Sequence, residues 1–310
     1  MSKLPSATKD VNQALRDLDE HGYAILADVL TNRQVETMKE RFVEQMIAEA
    51  QLHDKTVSLD DPDLRCHVGA LLNKGKIWQD LIDPTSLEHQ VLDAALRPAV
   101  SHKQAKKYNL EQAAICGSMD GLFKRREGSV EHAPEGQKYA QYGLMFHIDQ
   151  NFVPGHLDYP VAVNSFHTLT DFTYDNGATL VVPGTHKQAE INFDGYKGDD
   201  AIPIEVPAGS NFMLDGRLWH AAGINTSGEL RASVNKYYAA PWIRQRWPMA
   251  MNLRQDVVDQ LSEAQLKLLG FDTMWQCEYG AFTGPNIIEP QFGRANVSSK
   301  QRIIGELHLA

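Results

Sequence analysis

The chain is poor in cysteine and in basic residues, and it has no long apolar run. Its three cysteines, Cys66, Cys116 and Cys277, form neither a disulfide framework nor a paired thiolate metal motif, so we expect ordinary buried thiols. A net charge of −10 excludes the basic footprint of a nucleic-acid-binding protein. No apolar run approaches the roughly 20 residues that span a bilayer, and the first ten residues lack the apolar core of a signal peptide. We therefore expect a cytoplasmic protein that binds neither nucleic acid nor membranes.

Internal repeats, low-complexity segments and linkers are also missing. With 43% hydrophobic residues among 310, the chain can bury a large core. Helical patterns come first and many short strand patterns follow, an order that favours one mainly β domain over residues 1–310. Its core is expected to be a double-stranded β-helix, or jelly roll, at about 111–245. A helical part at about 1–110 and a C-terminal helical extension at about 246–310 would buttress this core.

One N-terminal helix has a clear start and a clear apolar face. Thr31 is a good N-cap, and the pattern predicts a helix from there to about Ala48. Apolar residues recur at helical spacing and are expected to share its buried face: Val35, Met38, Phe42 and Met46.

Two histidines and one aspartate carry the strongest chemical signal. His147 and Asp149 end an apolar stretch, and in a strand two such residues project to the same side. His220 ends a segment, 212–220, that is typical of two short strands around an Asp-Gly turn. Two imidazoles and one carboxylate on one face suit non-haem Fe(II) and leave coordination positions open. The sequence therefore predicts an iron centre at these three residues, in a closed barrel-like fold.

A second His-x-Asp, at His156 and Asp158, competes for the same role. Pro154-Gly155 precedes it and Tyr159-Pro160 follows, so turn residues flank it on both sides. We interpret it as a surface loop rather than as the ligand pair.

The segment 175–187 has the pattern of a hairpin. Asn176-Gly177 supplies a tight turn, the apolar run after it predicts a short buried strand, and Pro183-Gly184 ends that strand. By itself this pattern predicts only local structure.

Together these segments resemble the phytanoyl-CoA hydroxylase-like family of Fe(II)/2-oxoglutarate dioxygenases, in its natural-product-tailoring branch. Members carry an N-G-x-L/T-x-x-x-P-G-S/T-H segment between the His-x-Asp and the distal histidine. They also carry an arginine eleven residues after that histidine, as Arg231 follows His220, and an H-x-x-x-x-N pattern that Asn225 fits. Segment 18–30 resembles the opening helix, turn and first strand of the family. Segment 261–271 resembles the helix-then-Gly-Phe segment of members that tailor natural products, whereas residues 50–140 match only loosely.

The resemblance implies a cupin-like fold and an enzyme that uses Fe(II), 2-oxoglutarate and O2. Three protein ligands on an octahedral iron leave three positions, enough for a bidentate 2-oxoglutarate and for O2. Arg231 would hold the distal carboxylate of 2-oxoglutarate through two parallel charged hydrogen bonds. Thr179 lies where the family often places a hydroxyl on that carboxylate. Asp149 counts against halogenation, because related halogenases lack the carboxylate ligand.

Substrate contacts are predicted beside the iron pair and after the last strand, although core packing is the commoner role of a single aromatic residue. The predicted contacts are Phe146, Gln150, Phe152, Trp242 and Arg244. Segment 124–141 is interpreted as either a lid or an inert surface loop.

The function predicted from these residues is oxidation of a C–H bond in a small, largely apolar secondary metabolite, with release of succinate and CO2. The outcome could be hydroxylation, desaturation, epoxidation or rearrangement. One alternative is a hydroxylase of a primary metabolite: an acyl-CoA, an amino acid or a compatible solute. A non-catalytic jelly-roll binding protein is disfavoured, because the three ligands and Arg231 are all present. The expected partner is a small-molecule substrate, and the prediction allows a homodimer.

Overall fold

The computed structural model describes residues 3–52, 56–59, 65–100, 114–124, 146–153, 155–189, 196, 198–245 and 247–271. The helices are α1 Val11–His21, α2 Asn32–Gln51, α3 Lys76–Gln79, α4 Leu87–Leu96, α5 Met249–Asn252, α6 Gln255–Val258 and α7 Glu263–Leu268. The strands are β1 Tyr23–Leu26, β2 Arg65–Val68, β3 Ile115–Lys124, β4 Ala162–Thr168, β5 Leu180–Val181, β6 Ile202–Pro203, β7 Asn211–Asp215, β8 His220–Ala221 and β9 Arg231–Ala239.

Helix α2 begins with a capping box. The Thr31 hydroxyl accepts from the Gln34 backbone N–H at 3.3 Å, and the Gln34 side chain accepts from the Thr31 N–H at 2.9 Å. The predicted start is confirmed, and the helix continues to Gln51, three residues beyond the predicted end. All four apolar residues predicted on its inner face are buried.

Replacing Thr31 by alanine is expected to lower the free energy of unfolding by about 1 kcal/mol, because the Gln34 backbone N–H loses its side-chain acceptor. Urea unfolding measures the change. Thr37→Ala is the matched control, since Thr37 lies inside the same helix and its hydroxyl only donates to the Arg33 carbonyl. Alanine favours a helix interior, so this control should be neutral or slightly stabilising. Equal effects of the two substitutions would contradict the capping role.

The strands form two antiparallel sheets. The larger sheet has the order β1-β7-β4-β9-β3-β2, and the smaller has the order β6-β5-β8. The expected β-rich core with helices against it is confirmed. The N-terminal part is not wholly helical, however, because β1 and β2 form the two edges of the larger sheet. Gly22, with φ of +82°, ends α1, and the fully buried strand β1 follows at once.

Alternation along β9 separates the core from a cavity. Side chains at even positions pack in the main apolar cluster with the helices: Ala232, Val234 and Tyr238. Side chains at odd positions line a cavity on the opposite face: Arg231, Ser233 and Asn235. Neighbouring β4 follows the same rule, with Val163 in the core and Asn164 and Phe166 on the cavity. One sheet therefore carries both the core and the wall of the site.

A buried ionic network fastens α4 to the core face of this sheet. The Lys236 ammonium donates to Glu88 at 2.5 Å and to the Leu81 carbonyl at 2.8 Å, and the Ser165 hydroxyl donates to the other oxygen of Glu88. Burial, together with the charge of Lys236, lowers the pKa of nearby His167 to about 4, so its imidazole is neutral at pH 7. Burial opposes ionisation of Glu88, but the charge of Lys236 and the hydrogen bonds from Lys236 and Ser165 favour it, and the pKa of this carboxyl is lowered overall. The network fixes β4 and β9 behind the cavity.

The structure tests some of the remaining predictions, and others fall on residues that it does not describe. The helix-then-Gly-Phe segment is confirmed: Ser262 caps α7, Gly270 has φ of +76°, and Phe271 is buried. Cys116 is a buried thiol, as expected. The described part leaves out residues 125–145 and 272–310. The first of these ranges contains most of the predicted lid and of the strand predicted before His147. No helix in the described ranges is long and apolar enough to cross a membrane.

Candidate functional site

The structure brings His147, Asp149 and His220 together. One possible ligand atom from each lies within 4.8 Å of the others. Asp149 oxygens lie 3.9 Å from His147 Nε2 and 3.2 Å from His220 Nε2, and the two imidazole centroids are 4.2 Å apart. A β-bridge joins the histidines through two backbone hydrogen bonds of 3.0 and 3.1 Å. Main-chain pairing thus holds the two imidazoles side by side.

His220 is oriented by its own backbone. Its Nδ1 lies 2.9 Å from the Leu218 carbonyl, which assigns the proton to Nδ1 and leaves the Nε2 lone pair for the cluster. Burial alone would lower the pKa of His220, but the charge of Asp149 and the hydrogen bonds to Asp149 and to the Leu218 carbonyl together raise it. A cation bound at Nε2 would replace the proton there.

Several contacts fix the turn that carries Asp149. The Gln150 N–H donates to the Gly216 carbonyl at 2.7 Å, and its side-chain oxygen accepts from the Val161 N–H at 2.8 Å. Asn164 donates through Nδ2 to Oδ2 of Asp149. The turn is therefore attached to the β7–β8 connection and to β4.

A cavity of about 210 Å³ connects the three residues with Arg231. Arg231 is buried at the start of β9, and its guanidinium carbon lies 5.2 Å from the centre of the Phe172 ring. Thr179, just before β5, lies on the same cavity. The described lining also includes Ile148, Asn151, Asn164, Phe166, Ala221, Ala222, Ser233 and Asn235. Both residues predicted to hold an oxo acid thus share one cavity with the predicted metal ligands.

The Asn-Gly turn of the hairpin supports this wall from behind. The Asn176 side chain accepts from the Thr173 N–H at 2.9 Å and donates to the Asp171 carbonyl at 2.7 Å. Asn176 also bridges Asn225, whose own side chain donates to the Glu229 carbonyl at 2.8 Å. Both asparagines of the motif therefore have structural roles, in the turns that lead to Thr179 and Arg231.

Gly177 is the glycine of this motif that admits no side chain. Its φ is +80°, and an added Cβ would lie 2.7 Å from the Gly223 carbonyl oxygen. We expect Gly177→Ala to lower the free energy of unfolding by clearly more than about 1 kcal/mol. Gly228→Ala is the control, because its φ is +71° but nothing lies within 4 Å. Thermal or urea unfolding of both variants separates the backbone penalty from the clash, and similar losses would argue against the close approach.

The Pro-Gly-Thr-His part of the motif positions the residue before His220. The Thr185 hydroxyl accepts from the Trp219 N–H at 3.0 Å and donates to the Val182 carbonyl at 2.7 Å. His186 is buried, with Nε2 2.9 Å from the Asp19 carbonyl at α1. These contacts join α1, β5 and the approach to β8.

Two of the predicted substrate contacts lie elsewhere. Phe146 is buried in a cluster with Trp219, with its ring centre 4.8 Å from that of Tyr196, because it precedes His147 and faces away from it. The Gln150 side chain is buried and bonded to Val161. Neither residue is part of the described lining of the cavity, and as substrate contacts both stay predictions.

The other three predicted contacts stay predictions. Phe152, Trp242 and Arg244 are exposed and are not part of the described lining. The Trp242 indole donates to the Ala99 carbonyl at 3.2 Å.

The competing His-x-Asp is a surface loop. His156 and Asp158 are both exposed, with 3.9 Å between Nε2 and Oδ1. Within the described ranges, the first His-x-Asp and His220 are the one group of three residues that could hold a metal ion.

Comparisons with known proteins find related sequences and a structure with the same fold. The sequence model of the family described as phytanoyl-CoA dioxygenase (PhyH) matches residues 18–233. Uncharacterized proteins of Mycobacterium bovis and Mycobacterium tuberculosis are each 38% identical over 113 residues, 36% of this chain and 41% of theirs. This chain therefore matches less than half the length of these relatives. Dioxygenase af480 of Aspergillus fumigatus is 28% identical over 268 residues, 84% of this chain and 77% of that protein.

A solved structure shows the same fold. HygX from Streptomyces hygroscopicus, crystallised with nickel and 2-oxoglutarate bound, superposes with a TM-score of 0.51 at 15% identity. The match covers 75% of this chain and 88% of HygX.

Proposed function

Because the chain belongs to the phytanoyl-CoA dioxygenase family, as its motifs predict, we propose that it is an Fe(II)- and 2-oxoglutarate-dependent oxygenase. The observation that carries this proposal is the convergence of His147, Asp149, His220 and Arg231 on one cavity. We also propose that the two sheets form the double-stranded β-helix predicted from the sequence. The antiparallel strand order and the likeness to HygX support that closure.

The three candidate ligands fit Fe(II). Two imidazole nitrogens and one carboxylate oxygen within 4.8 Å form the facial donor set that this ion accepts with open positions. The proton on His220 Nδ1 already presents Nε2 to the cluster. Bound there, Fe(II) would couple the decarboxylation of 2-oxoglutarate to succinate and CO2 with the reduction of O2 and the oxidation of a substrate C–H bond.

Arg231 would bind the distal carboxylate of 2-oxoglutarate. Its guanidinium is buried against the Phe172 ring, and both residues line the cavity. In such a buried place a charge-assisted bidentate contact is stronger than in water. The hydroxyl of Thr179 lies on the same cavity and can donate to that carboxylate. Apolar side chains such as Phe166 and Ala222 limit water around the oxo acid.

For the substrate we propose a small, largely apolar secondary metabolite. Apolar residues in the cavity lining, Ile148 and Phe166 among them, support this choice. The formal charge of −10 counts against a coenzyme A thioester, which would favour a basic channel. We also propose that the protein is cytoplasmic, because a reducing compartment helps to keep iron ferrous. The homodimer stays a prediction.

Substrate-stimulated succinate release tests the proposed function and its alternatives. We expect iron-dependent succinate formation that rises with apolar polycyclic metabolites and does not rise with acyl-CoAs or amino acids. The assay compares these three classes at equal concentration with and without Fe(II). Stimulation by an acyl-CoA or an amino acid alone would replace the secondary metabolite by a primary one. No iron-dependent succinate under any condition would favour a non-catalytic binding protein.

A further inference from the structure

Asn164 holds the carboxylate of Asp149 from a rigid strand. It is buried in the middle of β4, where it is paired with Leu214 on one side and Tyr237 on the other. Its amide nitrogen donates to Oδ2 of Asp149. Asp149 itself lies in a turn, so its own backbone fixes the carboxylate less than a strand would.

The orientation of the Asn164 amide is determined by this contact. Turning the amide would place its carbonyl oxygen against a carboxylate oxygen, which is repulsive, so the nitrogen must face Asp149. The carbonyl oxygen on the other side is buried and has no hydrogen-bond partner. A buried amide with one half unsatisfied is a poor choice for stability alone, since an apolar residue of similar shape would avoid that cost.

We propose that Asn164 is a positioning residue for the metal-binding carboxylate, an inference that rests on the proposed function. Its hydrogen bond restrains rotation of the Asp149 carboxylate and occupies one lone pair of Oδ2. Asp149 then offers the metal a single oxygen, and the remaining positions stay open for the oxo acid and O2. Groups that orient a ligand in this way commonly affect metal affinity although they do not touch the metal.

Nickel affinity, measured by calorimetry on the full chain without 2-oxoglutarate, tests this role. In Asn164→Leu we expect Ni(II) to bind about 10- to 100-fold more weakly than in the wild type. The visible spectrum of the Co(II) form should also change, because the carboxylate no longer has a fixed orientation. The matched control is Asn235→Leu, since Asn235 lines the same cavity from β9 and its amide makes no hydrogen bond to the three candidate ligands. The Ni(II) affinity of the Asn235→Leu variant should stay within about twofold of the wild type, whereas that of Asn164→Leu should fall.

A purely structural role for Asn164 has a different signature. In that case Asn164→Leu would change thermal unfolding of the metal-free protein but would leave Ni(II) affinity and the Co(II) spectrum unchanged, and this result would overturn the inference. If the leucine variant does not fold, Asn164→Ser gives the same test, because the serine side chain is too short to reach Asp149. If the wild type binds no Ni(II), the proposed function fails and this inference fails with it. Binding by the wild type with unaffected variants overturns only the role of Asn164.

Discussion

Alanine at position 147 is expected to abolish stoichiometric binding of a divalent metal. His147 supplies one of the three candidate protein ligands, and His220 is the one other histidine in the described lining of the cavity, so no further imidazole there can replace the lost nitrogen. Losing one nitrogen from a two-histidine, one-carboxylate face leaves two ligands, too few for tight binding of Fe(II). Metal content after reconstitution and desalting, measured by mass spectrometry, should fall from one ion per chain to background.

The chain contains its own control for this experiment. His156 and Asp158 have the same residue types and the same spacing, but both lie exposed on a loop. A double alanine substitution there should retain one metal ion per chain and full succinate formation. Loss of metal in this double variant, with retention in His147→Ala, would reverse the assignment of the two His-x-Asp pairs.

Lysine at position 231 is expected to weaken 2-oxoglutarate binding by roughly 10- to 100-fold. A lysine retains the positive charge but cannot form two parallel hydrogen bonds to one carboxylate, a loss of about 1.5–3 kcal/mol. The burial of Arg231 makes compensation by water unfavourable. The apparent affinity for 2-oxoglutarate, taken from succinate formation at saturating Fe(II), measures the change.

Two controls distinguish a specific loss of 2-oxoglutarate binding from a general loss of structure: the metal content of the variant and a substitution of a second arginine. The Arg231→Lys variant should still bind one Fe(II), because Arg231 is not among the three candidate ligands. Arg33→Lys, at an exposed position in α2, should leave the 2-oxoglutarate requirement unchanged. An Arg231→Lys variant with the wild-type requirement would remove Arg231 from the oxo-acid site.

Local periodicity predicted much of this site. Alternation in a strand predicts that His147 and Asp149 lie on one side, and the structure brings them together with Asp149 in a turn. The Asp-Gly turn before His220 predicts two short strands, and the structure has β7 before this turn and β8 after it. The same alternation, applied from Arg231, would also have selected Ser233 and Asn235, which line the cavity. It would have removed Phe146 as well, since that residue precedes His147 and faces the opposite layer.

Other features depend on contacts between distant parts of the chain. Asn164 reaches Asp149 across 15 residues, and no local pattern indicates which β4 side chain will lie beside that carboxylate. The pairing of β1 with β7 joins segments that are far apart in sequence, so the sequence predicts the strand after α1 but not its place at the edge of the larger sheet. The hydrogen bond of the Gln150 side chain was equally unpredictable, because its partner, the Val161 N–H, lies in a different segment, just before β4.

An anaerobic titration of the Fe(II)-loaded protein with 2-oxoglutarate tests the shared iron and oxo-acid site most directly. Chelation of Fe(II) by an oxo acid gives a visible charge-transfer band. We expect this band to saturate at one 2-oxoglutarate per chain in the wild type, to be absent in His147→Ala, and to require higher 2-oxoglutarate concentrations in Arg231→Lys. A wild-type protein that shows no band, or that binds 2-oxoglutarate equally well without iron, would contradict a single cavity in which His147, Asp149 and His220 hold the metal and Arg231 holds the oxo acid.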